Sequence, residues 1–173
     1  MKINSLILLG LLLVLVGWTL YQNTSSPPVT QRTVPDFNYE TLTGAKGNLY
    51  DHEGKPIILH FWATWCAPCL KELPTLLELA ENQKDLIILA VAVNDKTAKI
   101  QHFLNKMEKP LPTNFFVIED TDKTISENLY KTYKLPESFL IHTDLSLARK
   151  VIGAQENWNN TEWNNEINDL SSL

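Results

Sequence analysis

The chain has 173 residues, enough for one domain plus an anchoring segment, and only two cysteines. Of its 15 Lys+Arg, Lys2 and Arg32 precede Thr33, which leaves 13 against all 20 Asp+Glu and makes the remainder net acidic by 7. That balance speaks against nucleic acid and anionic lipid as partners.

Residues 6–21 are almost wholly apolar. A helix of about 17 residues reaches roughly 25 Å, just enough to cross a bilayer core. Trp18, Leu20 and Tyr21 stand where a signal-peptide cleavage site wants small residues, so an uncleaved anchor is expected over a removed leader. Trp18 and Tyr21 suit a membrane interface, and Lys2 favours an N-terminus inside with the domain outside. Residues 22–33 are polar and rich in Pro and Ser, the composition of a tether.

The folded domain is expected over 34–173. Residues 34–39 and 47–50, joined through Thr43-Gly44, read as a short edge hairpin, and 51–56 as a turn with His52 in solvent. Ile57 to Trp62 is continuously apolar apart from His60, as in a central strand. A helix follows from Cys66 to about Asn82, with Leu70, Leu73, Leu77 and Ala80 on one face. Pro74 inside it lacks an N–H and should bend it. Residues 85–93 are a second buried strand, so strand, helix and strand form a right-handed βαβ unit. Asn94-Asp95 should cap a helix over 97–107 that turns Ile100, Phe103, Leu104 and Met107 inward and His102 outward. Next come a short strand at 115–118 and a helix over 122–133 with Ile125, Leu129 and Tyr133 on one side. A strand at 139–142, in which His142 packs or faces solvent, is followed by a turn at 144–146 and a last strand at 148–153. The chain closes with a polar helix over 158–170 that buries Trp158, Ile167 and Leu170 and can also pack Trp163.

Trp65-Cys66-Ala67-Pro68-Cys69 lies between the first buried strand and its helix. A Cys-x-x-Cys in that place reads as a dithiol/disulfide redox site. Residues three apart share a helix face, so two sulfurs close a short ring with little backbone movement. Cys66 falls at the helix N-terminus, where unpaired N–H groups and the helix dipole stabilise a thiolate, and is the expected nucleophile. Cys69, one turn inward, is the expected resolving thiol. Structural zinc normally takes four ligands, but there is no second Cys pair, and His52, His60, His102 and His142 are scattered. Covalent haem attachment needs His after the second cysteine, where Leu70 stands. A purely structural disulfide across so small a loop would restrict the unfolded chain little. No metal or cofactor beyond the redox-active pair is expected. His60 has two readings: a hydrogen-bonded histidine under the helix, or a buried acid or base that tunes Cys69. Glu72 shares the face of Cys69 and is either an ordinary exposed helix residue or part of the site.

Phe61-Trp62-Ala63-Thr64-Trp65-Cys66-Ala67-Pro68-Cys69-Leu70-Lys71-Glu72-Leu73-Pro74 resembles the active-site segment of the thioredoxin superfamily. Within it the match is to the membrane-anchored extracytoplasmic TlpA/ResA/CcmG (DsbE) group, whose Cys-x-x-Cys is followed by Glu three residues on and Pro two after that. The resemblance covers about 34–170. It implies a thioredoxin-like α/β fold, with a central mixed β-sheet flanked by helices, an N-terminal β-hairpin extension and an N-terminal transmembrane helix. It also implies that Glu72 is a semi-buried carboxylate that raises the thiol pKa values and moves protons. The position of His60 usually holds a buried Asp, or Asn in anchored relatives, so His60 departs from the pattern. Sequence statistics leave the Leu135-Pro136 bond trans. Tyr133-Lys134-Leu135-Pro136-Glu137-Ser138-Phe139-Leu140-Ile141 resembles the superfamily's cis-proline loop, which makes it cis. Leu135 then offers backbone groups to an extended substrate, with Trp65, Pro68 and Pro136 around the sulfurs. Glu137 matches a Pro-Glu-Thr seen in cytochrome-maturation members.

The activity so implied is that of a membrane-tethered thiol:disulfide oxidoreductase. It would reduce extracytoplasmic protein disulfides such as those of apocytochrome c during cytochrome c maturation. A membrane thiol carrier of the DsbD/CcdA type would supply electrons, because the compartment is oxidising. The location implied is the inner (cytoplasmic) membrane, single-pass, with the domain in the periplasm or cell exterior. An oxidant or isomerase is the rival among enzymes. A copper-delivery protein is the rival outside them, although such relatives use Cys-x-x-x-Cys and a distant His. A peroxidase's Thr-x-x-Cys is absent, since Thr64 stands two residues before Cys66.

Overall fold

The computed structural model describes residues 10, 12, 14, 18, 33–107 and 109–171. The chain divides into two compact units, Met1–Gln31 and Arg32–Leu173. In the first, Gly10, Leu12, Val14 and Trp18 are helical and exposed. The rest of the expected anchor at 6–21, and the tether at 22–33 except Thr33, lie outside the described residues. Among the described residues no helix is long and apolar enough to cross a membrane.

The second unit is built on a five-stranded sheet. β3 (Ile57–Trp62) and β4 (Ile87–Val93) are buried at every residue, as continuous apolar strands covered on both faces must be. They pair in parallel, and helix α1 (Ala67–Asn82) makes the crossover between them. β5 (Phe115–Asp120) adds to β4 in parallel. β6 (Glu137–Ile141) adds to β3, and β7 (Leu147–Ile152) to β6, both antiparallel, giving the order β5-β4-β3-β6-β7. Helices α2 (Thr97–Asn105) and α3 (Thr161–Asp169) complete the unit. The expected hairpin is present as β1 (Asn38–Glu40) and β2 (Lys46–Asn48), a separate two-stranded sheet that touches β5 through a Thr41–Ile118 bridge.

Period-two alternation sorts the β3 side chains between two cores. Ile58 and Trp62 join Leu73, Leu76 and Trp158 on the α1 side. Ile57, Leu59 and Phe61 join Phe37, Tyr130 and Phe139 on the other. His60 shares the parity of Ile58 and Trp62, so the strand itself aims it beneath α1. The chain enters the unit at one end of the sheet: Thr33 bridges to Ser146, and the Val34 N–H donates to Leu145 O at 2.9 Å. The β6–β7 turn is at that end, and the Cys66 loop is at the other, where β3 stops and β6 begins.

Four expectations need correction. The helix over 122–133 is only the stretch Thr124–Leu129, wound in wide π turns. Lys123 (φ 60°) and Lys131 (φ 54°) take left-handed backbone, which a right-handed helix cannot run through. The buried Asp120 carboxylate instead gathers the Ile125 and Ser126 N–H groups at 3.0 and 2.8 Å, and Tyr133 is left exposed. Lys96, not Asn94-Asp95, is the N-cap of α2 and gives no side-chain bond, because Asp95 turns back to accept from the Thr64 N–H at 2.6 Å. His52 is half-buried, stacked on Tyr39 and 2.7 Å from its hydroxyl. The hairpin's second arm ends at Asn48, whose side chain caps a 3-10 turn over Leu49–His52.

Candidate active site

Cys66 and Cys69 form a disulfide at the start of α1, with Cα atoms 5.3 Å apart. Cys66 is the N-cap, and its Sγ accepts from the Cys69 N–H at 3.4 Å. Pro68 stands in the first turn, where a missing N–H costs nothing. Cys66 is 7% exposed and Cys69 0%, so only the outer sulfur offers an edge to an incoming group. A thiolate on Cys66 would sit where the helix leaves N–H groups unpaired, which lowers the energy of the charged form.

Trp65 is 59% exposed beside this sulfur, and its indole N–H reaches Asn94 O at 3.4 Å. Ala67 and Pro68 are exposed. The Leu135-Pro136 bond is cis, in agreement with the resemblance and against the statistics. Glu137 pairs with Phe61 one residue before the end of β3, so Leu135 and Pro136 emerge at the same end of the sheet as the Cys66 loop. Pro136 O is held by the Gly153 N–H at 2.9 Å, whereas among the described residues neither the N–H nor the C=O of Leu135 has a backbone partner. The loop is fixed by Glu137, a buried carboxylate that accepts from the Thr132 hydroxyl and pairs with Lys150 Nζ at 3.0 Å.

Beneath the disulfide lies a buried polar cluster. Glu72 is 1% exposed and His60 0%; Glu72 Oε1 and His60 Nε2 face each other at 3.6 Å and, among the described residues, have no other partner. His60 Nδ1 is 2.8 Å from Ser138 Oγ. Glu72 Oε2 accepts from the Gln155 N–H at 2.7 Å and the Trp158 indole N–H at 3.1 Å. Burial pushes the Glu72 carboxyl up to about 7, against the pull of those two donors. Burial alone pushes His60 down to about 3, so it is neutral when the carboxyl titrates. Near neutral pH the Glu72 carboxyl can therefore take up or give up a proton while His60 stays neutral beside it, its Nδ1 held by Ser138. A cleft of about 440 Å³, lined by Ala67, Pro68, Lys71, Glu72, Ala154 and Gln155, runs from the cysteine turn to the Glu72 side chain.

The eight residues expected to catalyse or to bind substrate thus fall toward one end of one sheet, in two groups. Cys66, Trp65, Pro68, Leu135 and Pro136 form the outer group; Cys69, Glu72 and His60 form the inner one. Sequence reasoning missed Ser138, Gln155 and Trp158. Trp158 left a signal, since an inward indole N–H must find an acceptor. Gln155 acts through its backbone and left none.

The AhpC/TSA family matches residues 30–150. A thiol-disulfide oxidoreductase ResA of Bacillus cereus is 32% identical over 164 residues, covering 90% of this chain and 92% of that protein. The thioredoxin-like protein YneN of Bacillus subtilis is 42% identical over 99 residues, 53% of this chain and 58% of that protein. Among solved structures, one described as a thiol:disulfide interchange protein DsbE from Chlorobium tepidum superposes with a TM-score of 0.70 at 26% identity, covering 82% of this chain and 96% of that one. The exposed lipoprotein thioredoxin Etrx1 of Streptococcus pneumoniae gives 0.61 at 25% identity, covering 80% of this chain and 100% of that one.

Proposed function

The chain belongs to the AhpC/TSA family of thioredoxin-like proteins and is a thiol:disulfide oxidoreductase of the ResA/DsbE type; from that premise we propose that it is membrane-tethered and reduces extracytoplasmic protein disulfides, such as those of apocytochrome c. The observation that carries the direction is the buried Glu72 carboxyl one turn below Cys69. An anion there raises the thiol pKa values, which weakens the thiolate as a leaving group and favours the reduced enzyme as donor.

In the proposed cycle the Cys66 thiolate attacks one sulfur of the substrate disulfide, and the other sulfur leaves as a thiolate. Trp65, Pro68 and Pro136 flank the reacting sulfurs, and the free Leu135 backbone pairs with the substrate chain. Cys69 then gives its proton to the Glu72 carboxylate and attacks Cys66 Sγ. The mixed disulfide breaks, the second substrate thiol is released, and two electrons have passed to the substrate. Re-reduction needs a membrane thiol carrier of the DsbD/CcdA type. The apolar run at 6–21 supplies the tether to the inner membrane, with the domain in the periplasm or cell exterior.

Equilibration of the full chain with thiol buffers tests the direction. A reduction potential near or below that of thioredoxin, about −270 mV, is expected; a value near about −120 mV would mark an oxidant and overturn the proposal. Absence of any reversible couple would favour a binding protein. Cys66→Ala should abolish exchange, and Cys69→Ala should accumulate the mixed disulfide, visible on non-reducing gels.

A further inference from the structure

The domain is acidic, yet the helix beside its disulfide is not. From Lys96 to Lys109 the chain carries Lys96, Lys99, Lys106 and Lys109 against one acid, Glu108. Lys99 and His102 on α2 and Lys106 at its C-cap recur at helical spacing and line a cleft of about 570 Å³ completed by Thr64, Ala98 and Phe103. The three basic residues are exposed, while Phe103 is half-buried with its ring 5.8 Å from that of Trp62. The cleft therefore has an apolar floor and a cationic rim. Among the described residues neither Lys99 nor Lys106 has an ion-pair partner.

Among the described residues, the neighbouring Asp95 and Glu119 are engaged elsewhere. Asp95 is buried and accepts from the N–H groups of Thr64 at 2.6 Å and Lys96 at 3.0 Å. Glu119 accepts from the hydroxyls of Thr97 and Thr121. The cleft also begins at the reactive loop. Thr64 lies two residues before Cys66, and Trp65 between them is bonded to Asn94 just ahead of α2.

We propose that this cleft receives an acidic segment of the protein substrate, whose carboxylates meet Lys99 and Lys106 while the adjoining cysteine reaches Cys66. The inference rests on the thiol-exchange reading above and adds a substrate class to it. A one-signed rim on a low-dielectric wall concentrates opposite charge and speeds encounter, while the apolar floor takes a hydrophobic side chain.

The test uses the full chain, reduced with dithiothreitol and then freed of it. Two synthetic peptides each carry one cysteine activated as a 2-pyridyl disulfide, flanked by aspartates in one and asparagines in the other. The Cys66 thiolate attacks the peptide sulfur, 2-thiopyridone leaves and takes up a proton, and Cys69 then displaces the peptide thiol; absorbance of the thiopyridone gives the rate. The aspartate peptide should react about tenfold faster at low salt. That preference should collapse near about 1 M salt, where screening acts over about 3 Å, and should vanish or reverse in the Lys99→Glu/Lys106→Glu variant. Equal rates at low salt, or a preference that survives in the variant, would overturn the proposal. Equal rates together with a preference for phosphatidylglycerol over phosphatidylcholine vesicles that the variant loses would assign the lysines to a lipid surface and overturn it too. Release from neither peptide would remove the thiol-exchange reading, and this inference with it.

Discussion

The two carboxyl oxygens of Glu72 are held differently beneath the disulfide. One accepts from Gln155 and Trp158, while the other faces His60 alone. Glu72→Gln keeps the shape and removes the charge. The pKa values of the reduced cysteines should then fall by about one unit or more, measured as thiolate absorbance against pH. Trp158→Phe removes one donor from the carboxylate and should drive the Glu72 titration higher, readable from the same curves. His60 was conspicuous in the sequence as the one ionisable side chain in an apolar strand, and Glu72 by its spacing from Cys69. Their juxtaposition was not legible, because it depends on how far α1 is rotated over β3, and no local pattern encodes that.

Elements built from long periodic or continuous apolar runs were readable: β3, α1 and β4 appear where the sequence places them. Elements ended by side-chain chemistry were not. Asp120 terminates β5 and gathers the next backbone turn onto itself, which no apolar period announces. Asn114 works in the same way. Its amide reaches the carbonyls of Ala80, Gln83 and Leu86, pinning the end of α1 to the approach of β4, and it is 5% exposed. Asn114→Ala leaves three carbonyls short of a donor and should cost about 1–3 kcal/mol, read as a lower urea midpoint with unchanged slope. The cis bond at Pro136 belongs to the same class: only the resemblance, and not the residue statistics, pointed to it.

For the molecule as a whole, the buried pair shapes stability against pH through two opposing slopes. Glu72 is raised from 4.5 to about 7, so the folded chain keeps a proton the unfolded chain gives up; that contribution is complete below pH 4.5 and lost as pH rises to about 7. His60 is lowered from 6.5 to about 3, so its contribution is complete above pH 6.5 and lost as pH falls to about 3. Between pH 4.5 and 6.5 the two cancel. His60→Asn removes one slope, and the urea midpoint of the oxidised protein should then decline steadily from pH 4.5 to 7; a profile as flat as the parent's in that window would contradict the assignment. The sheet adds a mechanical consequence. The chain joins the domain beside the β6–β7 turn, and the reactive sulfur occupies the opposite pole, about 20 Å away along the strands. A group that meets the sulfur therefore approaches the pole of the domain away from Thr33. Both cysteines of the chain stand at that pole, so any two thiol partners of this domain would have to take turns there.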